Sequence, residues 1–528
     1  MNILGVVSAG AGANEGASVR ALGLDLGTTN TKAALVVVRD GAVRVVATAW
    51  AATPAPAALE PVLAALVREV LRDGAAPDAV GISSMAETGV PLDGDDRPLG
   101  DWLRWDGHRA EVQARRLAER LGAQELAAAT GVRPSAKVPL ATWAWLREHE
   151  PDRWSAMVRW AGVADLACLV LTGTLATDHT LAGRTQAYRL PEGSGPLPVG
   201  FDPELLAEVG LRPDRLPHVV APGAVAGHVR SAALVAAGLR PGTPVVVAGH
   251  DHAVGAYGAG VRRPGQRVDS VGTSEAVITV LGGPLEPGLR RAASRAGMSV
   301  VVTPSGRDQA LLAGSSSAGA ALRWWSETTG LPLDELPGLV DAAGPGPTGV
   351  LVLPYVSGRQ TPEPDPSARL EVLGERRPAA RFAKAVLEGV CLHARWMTAE
   401  QERLAARAGG PAWRPGAITA LGAPLVRNPA WARVAAEVAE VPLQLTDCPE
   451  PVAVGAALLA AERVGLGSAQ LSAVAAPGRP DPRYDAVAAR FVAAATGAPG
   501  VLAAATAATP APVGAPQGAL TRPRKDPA

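Results

Sequence analysis

Lysine is nearly missing from this chain: Lys32, Lys137, Lys384 and Lys525 are the only four in 528 residues. The cations are almost all arginine, and Lys+Arg and Asp+Glu are equal at 50 each, a formal net charge of +0. Nucleic-acid and anionic-membrane surfaces need a concentrated basic field, so neither partner is expected. Cysteine is as scarce. Cys168, Cys391 and Cys448 show no C-x-x-C and no metal-ligand spacing, which argues against a disulfide framework and fits a reducing, cytoplasmic setting. The first twenty residues lack a basic n-region and no apolar run reaches membrane-spanning length, so neither a secretory signal nor a membrane anchor is expected. The expected partner is a small molecule; a homodimer is left open.

What is present is core-forming material: 48% of residues are hydrophobic and only 19% charged. The chain is too long for one core, and two domains of roughly 200 to 250 residues are the natural division. Residues 1–20 read as a flexible Gly/Ala-rich leader, whose G-x-G-x-x-x-G run is one residue too long for a dinucleotide fingerprint. Residues 498–528 are rich in Ala, Pro and Gly and are expected to be disordered, because they cannot bury enough apolar surface to offset ordering entropy. That leaves residues 21–258 and 259–497 as the two domains.

The chain is organised around the stretch from Pro244 to Gly260. Val245 to Val247 form an apolar run of strand length, Gly249 lets the backbone leave the sheet, and Asp251 is presented at the strand's end between His250 and His252. Loops at the carboxyl ends of strands are where α/β proteins build ligand sites. Leu22, Leu24 and Leu26 alternate with Gly23 and Asp25, the turn Gly27-Thr28-Thr29-Asn30-Thr31-Lys32 follows, and Ala33 to Val38 resumes as a strand. Arg267 to Val271, Gly272-Thr273-Ser274 and Ala276 to Val280 repeat this hairpin, which hints at an internal duplication. Helical periodicity marks Ala57–Arg72, Ala110–Leu121, Leu140–Glu148, Ala318–Thr328 and Ala379–Ala408, while Ala79–Ser83, Leu351–Pro354 and Ala417–Leu421 read as strands. Strands alternating with helices, each half led by a hairpin, predict an α/β fold of two similar domains.

A Gly-Thr-Thr-Asn turn gathers backbone N–H groups and hydroxyls into one concavity, the kind of nest that holds phosphate oxygens. Asp25 can hold hydrated Mg²⁺, which prefers one or two carboxylates plus phosphate, and Lys32 can face the same phosphates. The competing reading is an ordinary hairpin whose threonines satisfy β-propensity. Its repetition at Gly272-Thr273-Ser274 favours the phosphate reading. The two histidines beside Asp251 admit a metal, but the other six show no paired spacing, so structural histidines are favoured and Asp251 stands as a general base.

Gly23 through Lys32, Gly249-His250-Asp251 with Gly258-Ala259-Gly260, and Val271-Gly272-Thr273-Ser274 resemble the FGGY carbohydrate kinases, of the actin/sugar kinase/Hsp70 ATPase superfamily. Pro354 through Pro362, Ala385 through Gly389, and Gly422 through Trp431 to Gly455-Ala456-Ala457 continue the resemblance in order, from about residue 21 to 495. It implies two ribonuclease-H-like, actin-like ATPase domains closing on ATP and a sugar or polyol. On this resemblance Asp25, Gly27, Thr28, Thr29, Asn30 and Lys32 handle ATP phosphates and Mg²⁺, with Asp251 as a second metal-side carboxylate. Gly272, Thr273 and Ser274 contact the phosphates from the other domain, and Asp251 takes the proton of the attacking hydroxyl. Gly314 through Arg323, and Gly422, Ala423 and Asn428, resemble the segments lining the nucleotide cleft. Ala423 stands where the family usually has the second of paired glycines, which puts nucleotide affinity in question.

Met85, Glu87 and Thr88 resemble the acceptor-contacting segment, and Trp105, Asp106 and Arg109 the Trp-x-Asp-x-Arg of sugar-binding members, with the acid one place early. Ala86 replaces an arginine and Lys137 a tyrosine of the glycerol kinases, which argues against glycerol. Glu87, Asp106, Arg109 and Lys137 suit a polyol, since buried hydroxyls demand paired donors and acceptors; surface salt bridges are the alternative. The resulting expectation is an ATP- and Mg²⁺-dependent kinase of a small sugar, sugar acid or polyol, xylulokinase- or gluconokinase-like, with erythritol- or glycerol-like specificity as the alternative. The rival from another class is a nucleotide-binding sensor on the same fold.

Overall fold

Leu22, Leu24 and Leu26 are all fully buried, and the opposite face of their strand is glycine and aspartate, so both faces of that strand must be covered. The computed structural model describes residues 18–72, 74–191, 193–272, 274–409 and 413–497. The leader up to residue 17, the tail 498–528 and Thr273 lie outside the described residues.

The first sheet holds β1 (Val19–Leu26), β2 (Asn30–Arg39), β3 (Ala42–Ala52), β4 (Ala79–Ser84), β5 (Gly227–His228) and β6 (Pro244–His250), in the order β3-β2-β1-β4-β6-β5. Strands β3, β2 and β1 are antiparallel, while β1, β4 and β6 run parallel. The second sheet holds β7 (Arg267–Val271), β8 (Glu275–Val280), β9 (Ser299–Val302), β10 (Gln309–Ser315), β11 (Ile418–Leu421), β12 (Leu443–Thr446) and β13 (Ala473–Ala475), in the order β9-β10-β8-β7-β11-β12-β13. Strands β10, β8 and β7 are antiparallel, and β7, β11 and β12 parallel. The run β3-β2-β1-β4-β6 thus recurs as β10-β8-β7-β11-β12. Two sheets of the same topology, each led by its Gly-Thr hairpin, give the duplication a structural form.

Among the helices, α1 (Leu59–Val70) carries apolar residues at 59, 63, 66, 67 and 70, a helical spacing that packs on β2 and β3 and shares one core with the leucine face of β1. Helix α2 (Asp251–Gly258) follows β6 without a loop, α3 (Ala318–Thr329) and the long α4 (Ala379–Gly409) cover the second sheet, and α5 (Pro429–Val438) follows β11. Helix α6 (Pro451–Arg463), late in the chain, crosses over to the first half, packing on β1, β4 and α2. Its small residues allow this: a Cβ on Gly81 would stand 2.0 Å from the Ala456 carbonyl oxygen, and one on Gly258 would stand 2.6 Å from Gly455 Cα. Residues between β4 and β5 build a satellite unit with its own core around Trp143, Leu146, Trp160 and Leu206. Among the described residues no helix is long and apolar enough to cross a membrane.

Candidate active site

The hairpin of β1 and β2 and that of β7 and β8 line one cleft of about 710 Å³. From the first half it takes Asp25, Gly27, Thr28, Thr29, Asn30, Lys32 and Asp251; from the second, Gly272, Ser274, Gly422 and Ala423. Asp25 is buried, and its Oδ1 has no hydrogen-bond partner. Burial foremost, opposed by Lys32 and reinforced by Asp251 and Glu450, pushes its carboxyl up to about 7. A desolvated, unpartnered carboxylate oxygen is the donor a hard divalent cation takes. Lys32 Nζ lies 2.5 Å from Glu450 Oε2, just ahead of α6, and Arg323 and Arg427 add positive charge to the cleft walls. Gly422 sits at φ +126°, where a Cβ would meet the Val271 carbonyl oxygen at 1.9 Å, so only glycine fits. Ala423, by contrast, opens the short helix Ala423–Arg427 outside the positive-φ region.

Asp251 begins α2 rather than sitting in a loop. The change of direction is made at Gly249, φ +126°, where a Cβ would stand 2.3 Å from Thr180 Oγ1. His252 N donates to Asp251 Oδ1 (2.7 Å), and His250 Nε2 is 3.1 Å from the same oxygen. Burial depresses the His250 imidazole to about 4, so it is neutral at neutral pH. His252 Nδ1 lies 3.1 Å from Ser270 Oγ. Among the described residues no three His, Cys, Asp or Glu side chains cluster to hold a metal.

A second, smaller pocket of about 150 Å³ adjoins the cleft, lined by Met85, Glu87, Trp105, Lys137, Arg184 and His250, among others. Thr28, Asp251, His252 and Ser274 line both chambers. Glu87 holds φ +65°, a left-handed backbone rare for a residue with a side chain. Its carboxylate accepts from Arg184 Nη2 at 2.5 Å. Burial works against its charged form, but Arg184 and Lys137 together hold the carboxyl below the usual range. Lys137 Nζ lies 4.8 Å from the Trp105 ring centroid, and burial lowers its pKa. Trp105 Nε1 in turn donates to Thr28 Oγ1 (3.0 Å), so the wall of the smaller pocket and the Gly27–Asn30 turn are tied together. Arg184, from the satellite unit, carries no motif in the sequence and was not among the expected residues.

Several expected residues stand elsewhere. Asp106 forms a two-pronged ion pair with Arg104 (3.0 and 2.9 Å) on the surface, and the Arg109 guanidinium lies 5.4 Å from the Trp145 ring; neither lines the pocket. Thr88 is buried behind it, its hydroxyl accepting from Trp105 N (3.1 Å). Gly314, at the end of β10, faces the smaller pocket, while Gly319 in α3 faces the larger cleft. Asn428 caps α5, its side chain accepting from Trp431 N (3.0 Å). Within the other matching motifs, Glu388 accepts from Thr348 and from the Tyr484 hydroxyl (2.7 Å), and Arg359 donates to three backbone carbonyls. Both are structural clamps.

Residues 20–258 match the N-terminal domain, and residues 269–463 the C-terminal domain, of the FGGY family of carbohydrate kinases. A xylulose kinase of Streptomyces coelicolor is 32% identical over 385 residues, covering 72% of this chain and 74% of the relative. A gluconokinase of Bacillus licheniformis is 23% identical over 394 residues, covering 70% and 74%. The crystal structure of gluconate kinase from Lactobacillus acidophilus superposes with a TM-score of 0.78 at 21% identity, covering 92% of this chain and 99% of that one, so the actin-like ATPase fold is shared. The chain belongs to the FGGY family of carbohydrate kinases.

Proposed function

We propose that this kinase transfers the γ-phosphoryl group of ATP to a hydroxyl of a small sugar, sugar acid or polyol bound in the smaller pocket, with Asp251 as general base. The observation that carries this is the place of Asp251, which lines both chambers. Phosphoryl transfer depends mostly on positioning and on stabilising charge, and of Thr28, Asp251, His252 and Ser274, which line both chambers, Asp251 is the one carboxylate. The acceptor oxygen bonds to the γ-phosphorus, the bond from that phosphorus to the β–γ bridging oxygen breaks, and ADP leaves with the electron pair. The hydroxyl proton passes to Asp251 Oδ2, since Oδ1 is engaged by His252 N and His250. The base needs hydrogen-bond reach more than an unusual pKa.

Asp25 through Oδ1, with Asp251 as a second carboxylate, fits Mg²⁺, which when bound offsets phosphate charge. Lys32, Arg323 and Arg427 draw the nucleotide's negative charge into the cleft. The backbone amides of the Gly27–Asn30 turn, with Gly272 and Ser274, orient the phosphates from two sides.

The names of the two relatives put a ketose and a sugar acid among the acceptors to test. The test is ADP release with ATP and Mg²⁺ across pentuloses, hexuloses, aldonates and C3 to C5 polyols, with the phosphate ester followed by phosphorus NMR. One acceptor yielding ADP and ester in equal amounts supports the proposal. ATP binding without turnover on any acceptor contradicts it.

A further inference from the structure

Arg184 has more hydrogen-bonding capacity than Glu87 uses. Its side chain is only 12% exposed and Nη2 serves Glu87, yet Nε and Nη1 are buried with no partner. Buried guanidinium nitrogens are normally satisfied, and here they belong to a residue lining the acceptor pocket. Lys137, on the same pocket, lies over the Trp105 ring and pairs with no carboxylate among the described residues. Two cations therefore share one carboxylate, Glu87, and one positive charge is left to match.

The other charged groups of the pocket do not cancel it. Asp251 belongs to the transferring end, and His250, which touches Asp251 and also senses Arg184 and Glu87, is neutral. Glu275 on the other wall is driven toward its neutral form by burial and by Asp269. Outside the pocket lining, Arg133 adds to the positive field around Lys137, while Asp106, already paired with Arg104 at 2.9 Å, opposes it.

We infer that the acceptor is a sugar acid, whose carboxylate lies between Arg184 and Lys137 and whose distal hydroxyl reaches Asp251. This deepens, and rests on, the kinase reading above. An uncharged ketose or polyol would leave the two Arg184 nitrogens unpaired once it displaced water, and sites built for a charged partner reject analogues that lack it. A phosphorylated sugar brings up to two negative charges to one unmatched positive charge, with Glu87 in the same cluster.

The experiment measures kcat/KM of the full chain, with ATP and Mg²⁺, for C5 and C6 aldonates, the matching aldoses and ketoses, and sugar monophosphates. An aldonate is expected to be preferred by on the order of 100-fold. Lys137→Met is expected to raise the KM for that aldonate roughly tenfold, with a smaller change in kcat. Calorimetric titration of the aldonate into the wild-type protein reads the same contact without turnover, should the variant fail to fold. An uncharged acceptor used better than every aldonate, or turnover confined to sugar phosphates, overturns the carboxylate assignment while leaving the kinase reading intact. No turnover on any acceptor, with ATP still bound, overturns both.

Discussion

Gly23 in β1 lies so close to α6 that a Cβ on it would stand 1.7 Å from the carbonyl oxygen of Ala453. The strand leading to the first phosphate turn is thereby seated on a helix from the far end of the chain. Backbone against backbone leaves no flexible side chain to give way. Gly23→Ala is expected to lower stability by on the order of 3 kcal/mol, or to prevent folding. Urea unfolding checks this, and an unchanged midpoint would refute the close seating.

The residue before α6 carries the second consequence of that seating. Glu450 holds Lys32 at 2.5 Å, placing a carboxylate inside the cleft proposed to take the nucleotide. Glu450→Gln leaves the Lys32 charge for the nucleotide and is expected to lower the KM for ATP by roughly three- to tenfold. Steady-state kinetics at fixed acceptor decide it; a raised KM would mean that Glu450 orients Lys32 rather than competing for it.

Asp25 gives a pH dependence whose sign is fixed. Its carboxyl is raised from 3.8 to about 7 in the folded protein, so the folded state holds this proton more tightly than the unfolded chain. The stabilising contribution is fully present below the unfolded value and is lost as pH rises through about 7. The difference amounts to on the order of 4 kcal/mol. The melting temperature of nucleotide-free protein should therefore fall between about pH 4 and pH 7, and do so less in Asp25→Asn. Saturating Mg²⁺ with nucleotide should flatten the wild-type curve. Identical slopes in wild type and Asp25→Asn would remove Asp25 as the cause.

Behind the base runs a buried chain of contacts that the sequence does not announce. Arg463, at the end of α6, donates to the Val247 carbonyl (2.8 Å) and to the Pro304 carbonyl (3.0 Å), and approaches Asp178 at 3.5 Å. Asp178 accepts from Thr180 N (2.7 Å) and from its hydroxyl, and Thr180 Oγ1 accepts from His250 N (2.8 Å). Thr180→Val is expected to lower kcat roughly tenfold while the KM for ATP stays within about threefold, because it loosens the turn that aims Asp251 without touching the nucleotide. Equal losses in both parameters would point to general unfolding.

What could be read in the sequence was short in range. The two Gly-Thr hairpins, the strand ahead of Asp251 and the long helix at 379–409 are each continuous in the chain and declare themselves by local pattern. The acceptor pocket does not, because Arg184 meets Glu87 across 97 residues and Trp105 meets Thr28 across 77. Asn428 also carries a local signal of another kind: asparagine just ahead of a proline suits a helix N-cap, and here it caps α5. Asp106 likewise had Arg104 two residues away to hold it at the surface. Gly314 and Gly319 lie five residues apart but on a strand and a helix, and so face different chambers.

The account turns on Asp251 as the group between the two chambers. Asp251→Asn keeps the size of the side chain and removes the base, so the direct measurement is its acceptor-dependent ADP release beside its ATP affinity. The account predicts a loss in kcat of about 10³-fold or more, with the Kd for ATP within roughly threefold of wild type. Turnover within about tenfold of wild type would contradict it, because proton removal by Asp251 would then be dispensable.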